Sequence, residues 1–403
     1  MRKCFLLAFF NLLFVIWHPP LGAQSWQQQP DFPGLERDDA CAVTVGNKAY
    51  YGLGFAVGFT CMNDWWSFDS ENGWQQKTSF PGLPRQYAAA TSLGKYIYVF
   101  GGIDQNVISL NDFWRYDTET DSWEELDTLP SIGRQAPMMI SFQDKILLGL
   151  GRNNITYFND VWQYDPSAKT FETISSIPGA GRYYPVFANV AGNPLIVHGW
   201  NLNECFDECI YYSPADDEWN LFDHSPHSGC NYVSAASHNY SLFLGGGLNE
   251  NNDYLNTFFE YNIRSNQWTP LPDLPSVPRK GSSMFVLDGI LYLAGGIDSN
   301  YTRLKEIWSF DFIEIEPSEL EISPNPANTW LHLYLDESMR GFCEDIVFVS
   351  IYQISGQIVL REELTAFNPG LWFPVNISHL NPGMYIVNIE NCEGIESKKV
   401  VVE

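Results

Sequence analysis

Three large side chains interrupt a repeated pattern of glycines. Six short apolar runs each end in a glycine, and in three of them the next residue is a second glycine. In the other three runs that residue is Phe55, Arg152 or Trp200. A guanidinium donates two parallel hydrogen bonds to a carboxylate, and an indole ring stacks on apolar surface. These three residues are therefore candidates for binding a sugar acid or a peptide carboxylate; the alternative is that they fill space and tie loops together.

Five arginines recur with a similar rhythm and form a second candidate set. They are Arg37, Arg85, Arg134, Arg182 and Arg279, with Gly229 where a sixth would fall. The chain has 22 Lys and Arg against 48 Asp and Glu, so a cluster of cations would attract an anionic ligand. An arginine in each repeat can equally bind Asp side chains or backbone carbonyl groups of its neighbours. The sequence leaves both roles open.

The cysteines limit the possible cross-links. The seven that follow residue 23 are Cys41, Cys61, Cys205, Cys209, Cys230, Cys343 and Cys392. Cys41 with Cys61 and Cys343 with Cys392 are candidate pairs, because each pair lies within one segment of the chain. The other three compete for one disulfide, and spacing alone does not assign it.

The central cysteines also permit a metal site. Cys205, Cys209 and Cys230 could join His227 as zinc ligands, since thiolate and imidazole are the ligands zinc prefers. In an exported chain, however, one disulfide and one free thiol are favoured over a zinc site. We therefore expect no metal and no cofactor.

No catalytic signature accompanies these residues. The sequence contains neither Gly-x-Ser-x-Gly nor His-Glu-x-x-His. The double glycines are not phosphate loops, because each is followed by a loop and another strand instead of a helix. Paired catalytic carboxylates need only meet in space, so enzymatic activity stays open while a non-enzymatic role is favoured.

The candidate residues belong to a repeat of about 48 residues. Glycines that end apolar runs recur at intervals of 47, 50, 48, 47 and 49: Gly54, Gly101, Gly151, Gly199, Gly246 and Gly295. Aromatic residues recur at intervals of 48, 49, 48, 48 and 49: Trp26, Trp74, Trp123, Phe171, Trp219 and Trp268. The pattern predicts four short strands in each unit; in the second these are "YAAATSL", "KYIYVFGG", "DFWRYD" and "SWEEL".

With this period, double glycine and downstream aromatic residue, residues 24–315 resemble kelch repeats. The resemblance implies an all-β fold, with each repeat forming one blade of a β-propeller. The sixth unit ends at residues 307–312 without a Trp, so the N-terminal "SWQQQ" is needed to complete it. We therefore expect a six-bladed kelch β-propeller closed by an N-terminal strand. In kelch propellers, the loops near Arg152 and Trp200 form the rim that faces a ligand.

The first 23 residues have the pattern of a signal peptide. Arg2 and Lys3 precede an apolar run from Phe5 to Trp17, and a small-residue cleavage site follows at residues 21–23. No later apolar run is long enough to span a bilayer. We expect a soluble exported protein with no transmembrane segment after signal cleavage.

Residues 316–403 follow a different pattern, with alternating apolar and polar residues between turn signals, as in a small β-sandwich. They resemble the C-terminal sorting domain of proteins exported by the bacterial type IX secretion system. The residues that match the motif are Pro324, Asn325, Pro326, Gly356, Gly383, Tyr385 and Lys399. The resemblance implies partnership with that secretion machinery and passage through the periplasm of a Gram-negative bacterium, followed by release or display on the outer cell surface.

These features favour an exported recognition module that binds a glycan or protein ligand on the propeller rim. A net charge of -26 disfavours nucleic acid as a partner, because both molecules are anionic. One alternative is a carbohydrate-active enzyme, since sialic-acid epimerases also use a kelch propeller. A second alternative is a structural protein of the cell envelope.

Overall fold

The computed structural model describes residues 24–312 except 215, 264 and 265, and residues 320–402 except 324, 336–346, 356, 365–371, 392 and 393. Within these ranges the regular elements are all strands, so the all-β prediction is confirmed. The expected signal peptide lies outside the described residues, as do Pro324, Gly356, Cys343 and Cys392.

Residues 24–312, apart from the three gaps, contain six four-stranded antiparallel sheets that repeat one pattern. From the inner to the outer strand, the first three sheets are Cys41–Val45, Lys48–Gly52, Trp65–Asp69 and Gly73–Lys77; Ala89–Leu93, Tyr96–Phe100, Phe113–Asp117 and Ser122–Leu126; and Met138–Phe142, Lys145–Gly149, Val161–Asp165 and Thr170–Ile174. The other three are Val186–Val190, Asn193–Val197, Glu208–Ser213 and Glu218–His224; Ser234–His238, Ser241–Gly245, Phe258–Asn262 and Gln267–Leu271; and Ser283–Leu287, Ile290–Ala294, Ile307–Asp311 and Gln27–Gln29.

Burial explains the different sequence patterns of these strands. The second strand of each sheet is almost entirely apolar, as in Tyr96–Phe100, because both of its faces are covered by neighbouring sheets. The outer strands, such as Ser122–Leu126, are mostly exposed and carry polar residues. The inner strands contact one another in chain order, and the first also contacts the sixth, so they form a ring around a central channel. Cavities of about 410 and 170 Å³ lie along that channel.

The outer strand of the sixth sheet comes from the N-terminal end of the propeller. Gln27–Gln29 pairs with Ile307–Asp311, with Gln28 opposite Trp308. Trp26, just before this strand, is 4% exposed and packs against Phe258 of the fifth sheet at a ring distance of 4.9 Å. Burial of this indole therefore joins the fifth and sixth sheets.

The five repeated arginines are buried structural residues, which corrects their assignment as ligand candidates. Arg37, Arg85, Arg134, Arg182 and Arg279 are at most 1% exposed. Each forms an ion pair at 2.5–2.7 Å with a single acid; in order, the acids are Asp64, Asp112, Asp160, Glu208 and Glu306. Each also donates to the carbonyl oxygen sixteen residues later, at 2.9–3.4 Å. The ion pair and the carbonyl contact therefore use donors of each guanidinium within the fold, although Arg182 Nε has no acceptor among the described residues.

The fifth unit lacks both partners of this ion pair. Cys230, which follows Gly229, stands in the place of the arginine, and Thr257 has the place of the acid. Two buried histidines, His198 and His227, lie there instead, with ring centres 5.7 Å apart. His227 Nε2 lies 3.2 Å from the Thr257 carbonyl oxygen, and His227 Nδ1 accepts from the Gly229 amide. Loss of both charges together leaves no unpaired buried ion.

The structure assigns one disulfide and corrects another. Cys205 and Cys230 are bonded with their Cα atoms 5.4 Å apart, and Cys209 is a buried free thiol. Cys41 and Cys61 are not paired. Cys41 begins an inner strand, whereas Cys61 lies in the short strand Thr60–Cys61, which pairs with Phe55–Ala56 outside that sheet. Proximity in sequence was therefore a poor guide to proximity in the fold.

The C-terminal strands form two facing sheets around their own core. The three-stranded sheet contains Leu320–Ser323, Trp330–Leu335 and Trp372–Asn376. The four-stranded sheet contains Ile358–Leu364, Val347–Gln353, Gly383–Asn391 and Gly394–Val402. Leu331, Val349, Val387 and Val400 are among the residues that fill the core between them.

Two of the predicted sorting-motif residues, Asn325 and Lys399, join the start of this domain to its last strand. The Asn325 side chain donates to the Lys399 carbonyl oxygen at 3.1 Å and accepts from the Val401 amide at 2.9 Å. Pro326 follows Asn325, and Gly383 begins the strand that pairs with the last one. Tyr385 is 5% exposed and donates its hydroxyl hydrogen to the Asn381 carbonyl oxygen. The described part of the motif therefore has a structural basis.

We predict that breaking one arginine ion pair destabilises the propeller strongly. Asp112→Asn leaves the buried Arg85 guanidinium uncompensated, so the free energy of unfolding should fall by about 3–5 kcal/mol. Glu119→Gln, which removes an exposed partner of Lys95, is the control and should cost about 1 kcal/mol or less. Equilibrium urea unfolding followed by Trp fluorescence measures both. Equal effects in the two variants would contradict the structural role.

We also predict that the buried histidines make stability depend on pH. Burial lowers the pKa of His198 to about 3 and the pKa of His227 to about 4. Below the ordinary value near 6.5 the unfolded chain binds protons that the folded chain excludes, so stability falls as the pH drops from about 6.5 toward 3–4. The slope is at most about 1.4 kcal/mol per pH unit for each histidine.

His198→Leu should flatten this slope by one histidine's contribution. Leu53 and Leu150 occupy the equivalent place in two other units with similar positive φ values, so leucine fits the backbone there. His224→Gln is the control, because His224 is exposed and the hydrogen bond with Asp207 raises its pKa. Urea unfolding between pH 7 and 4 measures the slopes, and an unchanged slope in His198→Leu would disprove the assignment.

Candidate functional site

One face of the propeller carries its longest loops. The first residue of each inner strand pairs with the last residue of the second strand, as Cys41 does with Gly52. The connection that enters the inner strand and the loop that leaves the second strand therefore lie on the same face. We call this the loop face.

Hydrogen bonds on the loop face correct the alignment of the repeated glycines. Gly102 donates its amide hydrogen to the carbonyl oxygen of the next unit's Arg134, and the amides of Gly54 and Gly151 make the same bond to Arg85 and Arg182. The equivalent glycines therefore recur at intervals of 48, 49, 48, 48 and 49, as the aromatic residues do: Gly54, Gly102, Gly151, Gly199, Gly247 and Gly296. The sequence-based intervals of 47, 50, 48, 47 and 49 were less regular because they combined the first glycine of some units with the second glycine of others.

The three large residues therefore do not stand in the place of a second glycine, as the sequence had suggested. The single glycine of each of these units is equivalent to the second glycine of the other units. Phe55, Arg152 and Trp200 follow that glycine, and so they stand in the place of Ile103, Leu248 and Ile297. The glycine that is lost is the first, replaced by Leu53, Leu150 and His198, all with positive φ. Each large residue pairs with the short segment before the inner strand, as Arg152 does with Gln135 and Trp200 with Tyr183.

The structure brings Arg152 and Trp200 together through Tyr183. The Arg152 guanidinium lies over the Tyr183 ring at 4.5 Å and donates to the Tyr157 hydroxyl at 3.3 Å. Tyr183 contacts the Trp200 ring at a centroid distance of 5.4 Å. Phe55 is not part of this group, because it packs beneath the guanidinium of Arg303. We call Arg152, Tyr157, Tyr183 and Trp200 the arginine cluster.

The arginine cluster contains a cation, Arg152, that has no carboxylate partner among the described residues. Arg152 is half-buried, and none of the described carboxylates forms an ion pair with it. Its Nε atom is buried without a hydrogen-bond acceptor among the described residues. A guanidinium that has no carboxylate partner within the fold is suited to a carboxylate that arrives with a ligand.

Sequence reasoning missed a second group at the centre of the loop face. Six residues two places before the inner strands encircle the channel mouth, and all have positive φ: Asp39, Tyr87, Ala136, Tyr184, Tyr232 and Gly281. Backbone hydrogen bonds link neighbours, from Asp39 to Gly281 and from Gly281 to Tyr232. We call these six residues the mouth ring. Their regular spacing was visible in the sequence, but their differing residue types concealed it.

Sequence reasoning also missed the apolar tips of the surrounding loops. Five of the six loops after the second strands present a large exposed side chain: Phe59 (73% exposed), Val107 (61%), Ile155 (91%), Leu202 (72%) and Tyr301 (77%). The tips are held in shape, since the Asp104 carboxylate accepts from the Ile108 amide and Asp298 does the same for Thr302. Exposed apolar side chains arranged around a face are typical of interaction surfaces.

Three family models match the chain. The KLHDC2/KLHL20/DRC7 Kelch-repeats domain matches residues 20–183, and the Kelch motif matches residues 229–275 and 278–314. The secretion system C-terminal sorting domain matches residues 321–403. No curated protein matches the chain.

The matches agree with the described architecture. The sorting domain supports export to the cell surface or secretion in bacteria, and interaction with the secretion machinery. Among the described elements there is no helix with the length and apolar character needed to cross a membrane. Repeated four-stranded sheets matching kelch models, followed by two C-terminal sheets matching a sorting model, show that this chain is a kelch-repeat β-propeller protein with a C-terminal secretion-system sorting domain.

Proposed function

We propose that the protein is a recognition module of a Gram-negative bacterium, delivered through the periplasm, that binds a carboxylate-bearing ligand on its loop face. The proposed signal peptide is residues 1–23, the propeller residues 24–315 and the sorting domain residues 316–403. In this proposal Arg152 binds the ligand carboxylate, and Trp200 packs on the apolar part beside it. Phe55 supports the neighbouring loop through Arg303 and does not contact the ligand.

The observation that carries the proposal is the unpaired Arg152 guanidinium. In a protein with a net charge of -26, carboxylates are abundant, and the five propeller arginines described above each have one. Arg152 instead has only aromatic neighbours, Tyr157 and Tyr183. Aromatic faces stabilise the cation, and Nη1 donates to the Tyr157 hydroxyl, which leaves Nη2 for a carboxylate.

The loop tips favour a protein segment as the source of the carboxylate over a free sugar acid. Ile155 is next to the arginine cluster in sequence, and its side chain is 91% exposed. Apolar tips of this kind offer contacts to the side chains of a protein, whereas a small acid would leave them in water.

The sorting domain leaves the loop face accessible. Its Tyr334 accepts a hydrogen bond from the hydroxyl of Tyr240, which lies in the turn between the first two strands of the fifth sheet. That turn is at the edge opposite the loop face. Tyr334 and Trp372 share an apolar cluster with Val190 and Tyr211 of the fourth sheet. Export and ligand binding can therefore use opposite faces of the same molecule.

We predict that carboxylate binding depends on Arg152 and Trp200. Purified full-length protein should be screened against peptides with free and amidated C-termini and against sugar acids, and affinity for the best ligand measured by calorimetry. Arg152→Gln should weaken binding about tenfold or more, because charge-assisted hydrogen bonds contribute about 1.5–3 kcal/mol. Trp200→Ala should weaken it by a smaller factor.

Leu248→Ala and Ile297→Ala are matched controls for these variants. They occupy the equivalent position in the fifth and sixth units and should leave affinity unchanged. Equal affinity for the best ligand and for the same ligand with its carboxylate amidated, or unchanged binding in Arg152→Gln, would refute the site. Turnover of the bound ligand would favour the carbohydrate-enzyme alternative, and failure of every ligand would favour a structural role in the envelope.

We predict that residues 320–403 are required for delivery. Their deletion should leave folded propeller in the periplasm, as detected by cell fractionation and protease protection. Asn325→Ala tests the same role in the full chain, because it removes both hydrogen bonds to the last strand. Arg152→Gln is the control and should reach the cell surface or medium normally. Normal delivery of the deletion variant would disprove the sorting role.

A further inference from the structure

The mouth ring surrounds a small pocket with one acidic side chain. The cavity has a volume of about 140 Å³ and is lined by Asp39, Tyr87, Tyr184 and Tyr232 among others. Of the six ring residues, three are aromatic, two are small and one is charged. This composition differs from the rest of the channel, whose lining is mainly small aliphatic and hydroxyl-bearing.

The three tyrosines converge although they come from three different sheets. The rings of Tyr184 and Tyr232 have a centroid distance of 3.9 Å, and Tyr87 meets Tyr184 edge-on at 5.2 Å. All three are half-buried, so they remain in contact with solvent at the channel mouth. The three tyrosines therefore form one aromatic group that lines the pocket.

Asp39 supplies the only charge within the ring. Its carboxylate leans over Gly281, since a Cβ placed on Gly281 would lie 2.6 Å from Asp39 Oδ1. No described cation lies within ion-pair distance of Asp39, whereas the adjacent Asp38 is paired with Arg303 at 2.6 Å. The lack of a side chain on Gly281 therefore leaves room for the Asp39 carboxyl group, which is hydrogen-bonded to Asp38 and has no direct ion pair with a described cation.

One of the mouth-ring tyrosines already contacts an ammonium group of the protein itself. The Lys280 ammonium lies over the Tyr232 ring, 4.2 Å from its centroid. It does not form an ion pair with a described carboxylate, and it also faces Tyr254 at 5.8 Å. One face of this aromatic group therefore already stabilises an ammonium ion.

We propose that the mouth ring binds an organic ammonium group, with Asp39 as its counter-ion and the tyrosine rings as its cation–π partners. The ammonium can belong to a small amine or to a lysine side chain of a protein. The site uses neither Arg152 nor Trp200, and it adjoins the arginine cluster where Tyr184 contacts Tyr183 at a centroid distance of 4.5 Å.

Protonation gives this proposal a distinctive signature. Burial, followed by the negative charge of Asp38, raises the pKa of Asp39 well above its ordinary value, while Lys280 and Arg303 act in the opposite direction. The other titratable groups that face the pocket are the hydroxyls of Tyr87, Tyr184 and Tyr232. Because an ammonium ion binds the ionised carboxylate, its affinity should rise with pH until Asp39 is fully ionised.

The test is calorimetric titration of the full-length protein with three probes. Tetramethylammonium represents a small amine, capped lysine amide represents a protein side chain, and tert-butanol is a neutral analogue of tetramethylammonium with similar shape. At least one of the two cations should bind about tenfold or more tightly than tert-butanol. The tighter cation identifies the source of the ammonium group, and binding should release protons to the buffer.

Two variants complete the test. Asp39→Asn should reduce cation affinity about tenfold and abolish the pH dependence, and asparagine tolerates the positive φ of this position. Tyr184→Ala should reduce affinity less, and alanine is already present in the ring at Ala136. Glu119→Gln removes one carboxylate elsewhere on the propeller and is the control that should leave cation binding unchanged. Equal binding of tert-butanol, or unchanged affinity in Asp39→Asn, would overturn the proposal.

Discussion

The propeller depends on one buried contact that recurs from sheet to sheet: an arginine fork held by an acid and by a carbonyl oxygen sixteen residues later. The acid begins the third strand or lies just before it, and the carbonyl follows the second strand, so one guanidinium fixes three segments at the loop face. In four units the same acid accepts from a tryptophan two residues on. The ion pair therefore also orients an aromatic ring. Because the arginine is satisfied in this way, it is not available to a ligand.

The architecture was predictable from the sequence because each repeat of about 48 residues forms one four-stranded sheet. The recurring aromatic residues and the missing Trp of the last unit indicated both the repeat and the role of the N-terminal segment. The alignment within the repeat was less predictable. Positive φ is usually taken as a requirement for glycine, yet Leu53, Leu150 and His198 have it too, because hydrogen bonds on both sides hold the backbone there.

The candidate site was only partly predictable. Arg152 and Trp200 differ from the repeat and could be identified by that difference, but the contact through Tyr183 depends on the curvature of the ring. The mouth ring repeats a backbone conformation instead of a residue type, so comparison of residues does not reveal it. The same applies to the loop tips, whose shared property is exposure. Tertiary structure, and not local pattern, determines both features.

The two charged groups of the loop face are built differently. Arg152 lies at the side, on a loop, among aromatic rings, whereas Asp39 lies at the centre and is fixed by backbone hydrogen bonds between sheets. Val107 retains positive φ at a loop tip although β-branched residues rarely adopt it, at a cost of order 1–3 kcal/mol. Such strain is typical of functional surfaces, and here it keeps an apolar side chain pointing into solvent.

Closure of the sixth sheet affects the order of events during synthesis. The side chains of Gln29 and Ser309, 280 residues apart in sequence, are hydrogen-bonded across the closing strand pair. Contacts between such distant residues form slowly, and this one requires nearly the whole propeller to be present. The N-terminal strand has no partner until residues 307–311 have been synthesised, so the sixth sheet cannot be completed before then. Closure of the ring thus ties completion of the propeller fold to synthesis of its last strand.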